Sequence, residues 1–432
     1  MKVELPDTPF KYVTDNSAEL DAQTAFLETK LNRRYLDQAQ QSEHHSIVGI
    51  KDIKEYFGLE HIKVIGITGT NGKTTTAAAI YSILLDMGYK VAMQGTRGLF
   101  INDEQKAPKG LTTPTVLETY TNIYQAIVAE CDYFVMEVSS HAIDQERIEG
   151  IDFALKILTN ITSDHLDYHK SEEEYIRVKN SFFQDESLKL INRDESKANF
   201  NYKNAYSYSV EAGSSFRIIA YSLNDGLSAA LQYFSEVVDF HSDMHGFFNL
   251  YNLTAAVAAV KLLTGRPLEE ICKEVTNFAG VSGRMEVVSS DPLVIVDFAH
   301  TADGMAQVLN ALKEKDVIVV FGAGGDRDRS KRPMMGKVAE NLAKKLYITS
   351  DNPRNEDPEL IIKDIVKGLK HPELAVINPN RKEAIHQALH DQNKDEVVLI
   401  LGKGDETYQI IYDKKFPFDD REIARNYLNN TL

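Results

Sequence analysis

Gly69, Gly72, Lys73 and Thr74 stand within the run Lys63 to Thr76, KVIGITGTNGKTTT, and their types and spacing suit the cradling of a phosphate. Glycines let successive backbone N–H groups turn inward on an anion with no Cβ in the way. The lysine adds a point charge, the threonine hydroxyl suits a nucleotide-bound magnesium, and the positive end of a following helix faces the phosphates. The strict loop pattern has a glycine or alanine five residues before Gly72, where this chain has Ile67, so the loop is a variant.

Other reactive side chains recur at the ends of apolar runs. Glu137 lies in YFVMEV, Tyr133 to Val138. A carboxylate in a buried strand is costly unless it meets a cation, so the alternatives are a magnesium opposite the phosphate loop and a salt-bridged core acid. The run Asn160 to His169, NITSDHLDYH, puts two histidines and two aspartates just past a strand, where open α/β sheets bind ligands. Each of them alone also serves as a loop hydrogen-bonder. Lys179 shares a helix face with Tyr175, Val178 and Phe182. A lysine on such a stripe pairs with an acid, loses its proton or is chemically modified. Leu111 to Pro114, LTTP, is a polar turn that caps a helix or binds. Asn249 and Asn252 at a helix start either cap it or read a nucleobase.

These groups must be carried by alternating strands and helices. Val64, Ile65 and Ile67 suit a buried strand, Ile80, Ile83, Leu84 and Met87 repeat with helical period, and Lys90 to Met93 follows as the next strand. Further strands are expected at Leu155 to Thr159, and antiparallel ones at Phe216 to Tyr221 and Leu231 to Phe240. From Arg284 the pattern resets, with strands at Leu293 to Phe298, Val317 to Phe321, Lys345 to Thr349 and Val397 to Leu401. Their following loops, Asp297 to His300, Gly322 to Asp328, Asp351 to Arg354 and Gly402 to Glu406, meet at one edge of a parallel sheet. Their mixed charges suit a zwitterionic amino acid. The polar first 60 residues show helical patterning over Ala18 to Leu36. This gives an α/β protein with a small N-terminal domain (1–60), a P-loop central domain (61–283) and a second, C-terminal α/β domain (284–432).

Bulk properties narrow the partners. A net charge of −16 argues against nucleic acid and anionic membranes. Two cysteines supply neither a disulfide framework nor a zinc site. We expect no membrane span and no signal peptide, hence a cytoplasmic protein.

The succession GTNGKTT, LTTPT, EVSSH, TNITSDHLDYH, the Lys179 helix, HGFFNLYN, GRME, GAGGDRDRSKRP, DNPRNEDP and GKGDETYQ, from about residue 63 to the C-terminus, resembles the Mur ligases. Within them it is most similar to the UDP-N-acetylmuramoyl-tripeptide synthetases. The resemblance implies a three-domain, monomeric enzyme of peptidoglycan precursor synthesis, with a shortened N-terminal domain and a Rossmann-like C-terminal domain. Such an enzyme uses ATP and Mg2+ to phosphorylate the D-glutamate carboxylate of UDP-N-acetylmuramoyl-L-alanyl-D-glutamate, and an incoming amine then displaces phosphate from the acyl phosphate.

By motif, the resemblance implies ATP binding by Gly69, Thr70, Asn71, Gly72, Lys73, Thr74, Thr75, His245, Asn249, Asn252, Arg284 and His300. Thr74, Glu137 and His165 would be the metal residues, Lys73, Lys179 and His165 catalytic, and Lys179 carbamylated. Thr112, Thr113, Ser139 and Arg147 would hold the muramoyl dipeptide. Arg327, Asp351, Asn352, Pro353, Arg354, Gly402 and Glu406 would hold the amino acid. The DNPR form implies meso-diaminopimelate, with Arg354 on its distal carboxylate, rather than L-lysine. Three departures stand out: the early arrival of the loop, Asp405 where the family has histidine, and Phe298 and Ala302 in DFAHTAD in place of tyrosine and proline. A folylpolyglutamate synthetase shares the loop and the lysine, and DNPR and LTTPT argue against it. A nucleotide-binding scaffold without ligation is the third reading.

Overall fold

Val64, Ile65 and Ile67 are buried in the central strand of a large sheet, as their apolar run requires. The computed structural model describes residues 1–5, 8–36, 46–162, 164–224 and 226–431. They form two units: Met1–Ser222, Ser228–Ser242 and Leu250–Phe278 in the first, and Leu223–Leu227, Asp243–Asn249 and Ala279–Leu432 in the second.

The first unit opens with a small sheet of β1 (Lys2–Glu4), β2 (Tyr12–Thr14), β3 (Thr24–Leu27) and β4 (Ile47–Val48), paired in that order. The helical expectation over Ala18 to Leu36 is therefore wrong. That stretch holds β3 between two short 3-10 turns, Ser17–Glu19 and Arg33–Tyr35. All four β3 residues are buried, and parallel ladders to β2 and β4 give a strand what local periodicity could not foresee. Ala25 and Leu27 join one core with Phe57, Leu117 and Tyr120.

The main sheet holds β5 (Lys63–Thr68), β6 (Val91–Gly95), β7 (Gly98–Ile101), β8 (Glu104–Ala107), β9 (Tyr133–Glu137), β10 (Phe153–Leu158), β11 (Lys189–Asn192), β12 (Ala205–Ser209), β13 (Phe216–Ser222), β14 (Leu227–Tyr233) and β15 (Glu236–Ser242). Its order is β15-β14-β13-β12-β11-β10-β5-β9-β6-β7-β8. The run expected as one strand over Leu231 to Phe240 is two, broken at Phe234, whose φ is +50°. β5 pairs in parallel with β10 on one side and β9 on the other, so the chain reverses its direction of sheet growth there. Ligand crevices open beyond the carboxyl ends of strands at such a switch point. The phosphate loop leaves β5 at that place, and Gly72 precedes the helix Lys73–Asp86 in a left-handed conformation.

The second unit holds β16 (Glu286–Ser290), β17 (Leu293–Asp297), β18 (Asp316–Phe321), β19 (Lys345–Ile348), β20 (Ala375–Ile377) and β21 (Glu396–Leu401). Their order is β16-β17-β21-β18-β19-β20, parallel apart from β16. The loops after β17, β18, β19 and β21 therefore leave one edge, as the sequence pattern predicts. A hairpin of β22 (Tyr408–Ile411) and β23 (Lys414–Pro417) follows.

The helix Phe247–Thr264 is long and apolar enough to cross a membrane by composition, though most of that stretch is buried within the protein. Its Leu250, Leu253 and Ala255 to Val260 are core residues, which accounts for its hydropathy.

Candidate active site

The phosphate loop is laced to the segment after β10. The Asn71 N–H donates to Asn160 Oδ1 at 2.9 Å, and Asn160 Nδ2 donates back to the Asn71 carbonyl at 3.1 Å. Thr159 Oγ1 donates to the same carbonyl, and Thr70 Oγ1 lies 2.9 Å from the Tyr175 hydroxyl. Gly69 and Gly72 are demanded sterically: an added Cβ would lie 1.8 Å from Thr159 Oγ1 and 2.3 Å from Asn252 Oδ1. Lys73 Nζ donates to the Gly69 and Thr70 carbonyls at 2.7 and 2.9 Å. Thr75 is buried in the first turn of the helix. Asn252 does not cap its helix. Its Oδ1 accepts from Thr76 Oγ1 at 3.4 Å, beside the loop.

Glu137, at the end of β9, is 2% exposed. Among the described residues its oxygens accept from hydroxyl and amide donors: Oε2 from Thr74 Oγ1 and Oε1 from the Thr96 N–H, both at 2.9 Å. The LTTP turn itself connects to the same strand. Thr113 Oγ1 donates to the Glu137 carbonyl and accepts from the Ser139 N–H, and Arg147 Nη1 donates to the Thr113 carbonyl at 2.7 Å. Thr112 Oγ1 lies 3.2 Å from Thr96 Oγ1. Helix capping, the other reading of LTTP, falls instead to Thr115. Thr112, Thr113, Ser139, Arg147, Glu137 and Thr74 thus form one connected group.

His165 is exposed, in a left-handed conformation, with its ring 4.8 Å from that of His141. His169 is buried and its Nε2 lies 3.0 Å from Ser140 Oγ. Ser163 and the Asp167 side chain of the same run lie outside the described residues. Lys179 is 1% exposed, on the helix Glu172–Ser181 that Ser171 caps through the Glu174 N–H. Burial drives its pKa well below the usual lysine value. The charge of Lys73 pushes the same way, and Asp164 only partly opposes them.

Among the described residues no three His, Cys, Asp or Glu side chains converge to hold a metal. A protein-only cage is not what magnesium requires. It keeps waters and takes one or two carboxylates alongside substrate phosphates. Thr74 and Glu137, hard oxygen donors joined to each other beside the loop, fit that requirement.

The second unit collects a different set. Arg354 Nη1 donates to the Gly325 carbonyl at 2.9 Å and more weakly to that of Asn352 at 3.4 Å. Its backbone, at a φ of +51°, is tied to the hairpin by its N–H to Ile410 and its carbonyl to Tyr412. Burial lowers the Arg354 pKa, and the neighbouring Arg327 adds to this. Asp351 Oδ1 accepts from the Asn352 N–H, while its buried Oδ2 has no hydrogen-bond partner among the described residues. Gly402 packs so closely on that oxygen that a Cβ would lie 2.5 Å away, and Pro353 presents its carbonyl to Gly325 in the same manner. Glu406 Oε2 accepts from Asn352 Nδ2 at 3.0 Å. Arg327, Asp351, Asn352, Pro353, Arg354, Gly402 and Glu406 are therefore neighbours.

His245, Asn249, Arg284 and His300 also belong to the second unit. Asn249 Nδ2 donates to the His245 carbonyl at 2.7 Å. The Arg284 guanidinium lies 4.4 Å from the centre of the Phe298 ring, which His300 also approaches. His245 and Arg284 line a cavity of about 510 Å3 with Asp243, Met244, Gly280 and Glu286. Sequence reasoning missed Thr96 and Tyr175 as site neighbours, and it included Lys403 only as part of the Gly402 to Glu406 loop, with no role of its own. Thr96 and Lys403 each sit one or two residues past a strand end, the one signal that could have found them.

A phosphate loop at the switch point of one α/β unit, beside a buried acid and a buried lysine, defines a nucleotide-using P-loop protein. The chain belongs to the Mur ligase family. Residues 67–260 match the Mur ligase middle domain, and residues 283–404 match the Mur ligase, glutamate ligase domain. It is 55% identical to the UDP-N-acetylmuramoyl-L-alanyl-D-glutamate--2,6-diaminopimelate ligase of Wolinella succinogenes, over 99% of this chain and 98% of that protein. The enzyme of the same name from Helicobacter pylori is 49% identical over 98% and 96%. A solved structure of a ligase so named superposes with a TM-score of 0.69 at 28% identity, covering 100% and 99% of the two chains. A folylpolyglutamate synthase from Mycobacterium tuberculosis shares the fold, with a TM-score of 0.66 at 18% identity over 81% and 90%.

Proposed function

We propose that this chain joins meso-diaminopimelate to the D-glutamate carboxylate of UDP-N-acetylmuramoyl-L-alanyl-D-glutamate, with ATP and through an acyl phosphate, in cytoplasmic peptidoglycan precursor synthesis. The observation that carries the choice of amino acid is Arg354, a half-buried guanidinium anchored by backbone carbonyls beside Arg327 and the carboxylates of Asp351 and Glu406. A fixed guanidinium suits a carboxylate bidentately, which L-lysine does not offer at its far end. Asp351 and Glu406 suit its ammonium groups.

In this reading residues 61–283 take ATP, residues 284–432 take the amino acid, and segment 1–60 takes the UDP end, all within a monomer. Gly69 to Thr75 hold the phosphates, and Lys73 exchanges its loop carbonyls for phosphate oxygens. His245, Asn249, Asn252, Arg284 and His300 bind the nucleoside side. Thr112, Thr113, Ser139 and Arg147 orient the dipeptide. Thr74, Glu137 and His165 hold Mg2+, which when bound supplies positive charge to the oxygens of phosphoryl transfer. Lys179, a buried amine whose pKa burial lowers, is suited to carbamylation, which would turn its side chain into a carboxylate.

Phosphate release from ATP with Mg2+ and UDP-N-acetylmuramoyl-L-alanyl-D-glutamate tests the proposal, with meso-diaminopimelate compared against L-lysine. Release that depends on diaminopimelate and falls at least tenfold in Arg354→Ala is expected. Dependence on lysine would overturn the role of Arg354, and release with neither would overturn ligation.

A further inference from the structure

Lys403 is a fully buried cation in the amino-acid cluster, and the resemblance assigns it no role. It lies between Gly402 at a φ of +115° and Gly404 at +53°, two left-handed turns that send the backbone past Asp351 on one side and Gly283 on the other. Its side chain is 0% exposed. Nζ donates to Asn352 Oδ1 and Glu406 Oε2, both at 3.1 Å, and lies 5.8 Å from the centre of the Tyr408 ring. Asn352 Oδ1 also accepts from the Ile410 N–H at 2.9 Å, so both sides of that amide are committed and its orientation is fixed. Glu406 Oε2 accepts from both Lys403 and Asn352. Among the described residues no donor reaches its Oε1, which is left for a further one.

An ammonium removed from water is costly, and hydrophobic residues fill such a space at lower cost. Its presence here calls for a reason beyond packing. We infer that Lys403 is a positioning residue for the incoming amino acid: its buried ammonium locks Asn352 and Glu406 so that Glu406 Oε1 is presented to a substrate amino group. This rests on the amino-acid pocket proposed above. Lys403 itself touches only its protein partners and acts through them.

The test is Lys403→Met, which keeps the unbranched stem and removes the donors. Calorimetric binding of meso-diaminopimelate to the whole protein with ADP and UDP-N-acetylmuramoyl-L-alanyl-D-glutamate is compared with KM for all three substrates. Loss of a charge-assisted hydrogen bond corresponds to an affinity change of roughly 10- to 100-fold. We expect that weakening for the amino acid alone, with KM for ATP and for the UDP substrate within about twofold of wild type. We also expect Lys403→Met to add little in a Glu406→Gln background, because the partner through which it acts is already changed. An unchanged amino-acid affinity, or an equal loss for all three substrates, would overturn the inference. Should Lys403→Met fail to fold by circular dichroism, the double variant replaces it, and a further tenfold loss relative to Glu406→Gln overturns the inference. Wild type that binds diaminopimelate but releases no phosphate sinks the ligase reading while leaving this comparison valid. Wild type that does neither sinks both.

Discussion

Arg381→Met should unfold the second unit before it disturbs any chemistry. Arg381 and Asp420 are both 0% exposed and meet as a two-pronged pair, Nε to Oδ1 at 2.8 Å and Nη2 to Oδ2 at 2.7 Å. The guanidinium also donates to the Leu401 carbonyl at 2.8 Å and to that of Ser350 at 3.3 Å. One side chain thereby ties the ends of β21 and β19 to the helix Asp420–Thr431. Burial alone would lower its pKa, yet the adjacent Asp420 raises it, so the guanidinium stays charged. Methionine fills much of the volume but leaves the aspartate buried and unpaired, which costs about 3–5 kcal/mol. Removing both charges, as in Arg381→Met with Asp420→Leu, should recover most of that loss, since paired burial contributes little net stability. Because the chain contains no tryptophan, urea unfolding is best followed by far-UV circular dichroism. The single variant should show an early transition that the double variant lacks. A single-variant loss below about 1 kcal/mol, or a double variant no better than the single, would refute the reasoning.

Two further outcomes are expected in the first unit. Gly95→Ala would bring a Cβ to 2.2 Å from Glu137 Oε1, so the carboxylate must shift from Thr74. Phosphate release should fall roughly 10- to 100-fold at fixed magnesium, and added magnesium should partly restore it. Lys179→Met should abolish ligation but change how stability depends on pH. The Lys179 pKa is lowered in the folded state, so below 10.5 the unfolded chain holds a proton that the folded chain does not. Wild-type stability therefore falls as pH drops from 10.5 towards the folded value. In carbon-dioxide-depleted buffer the variant should gain on wild type as pH falls below 10.5, and parallel curves would contradict the lowered pKa.

What the sequence made legible was what local chemistry determines. The phosphate loop could be read because glycines, lysine and threonine must adjoin in the chain to surround one anion. Glu137 could be read because a single acid in YFVMEV has no local reason to be there. The C-terminal loops were readable because parallel strands put successive loops on one edge, and β17, β18, β19 and β21 do so. The small N-terminal sheet was not readable. β3 exists through ladders to β2 and β4, and nothing within Thr24 to Leu27 specifies those partners.

Lys179 lies between these cases. Its apolar stripe predicted burial, which is a property of one helix and hence of local sequence. Burial alone left pairing, deprotonation and modification open. The choice among them depends on charges that the fold brings near: Lys73 from the phosphate loop and Asp164 from the segment after β10. Lys73 is a like charge, so it disfavours the ammonium as burial does, and Asp164 only partly offsets the two. A stripe alone cannot reveal which sign of charge will face it. A lysine beside a phosphate loop is therefore readable as reactive only once the elements that carry both lysines are known to be neighbours, and β5 and β10 are adjacent strands.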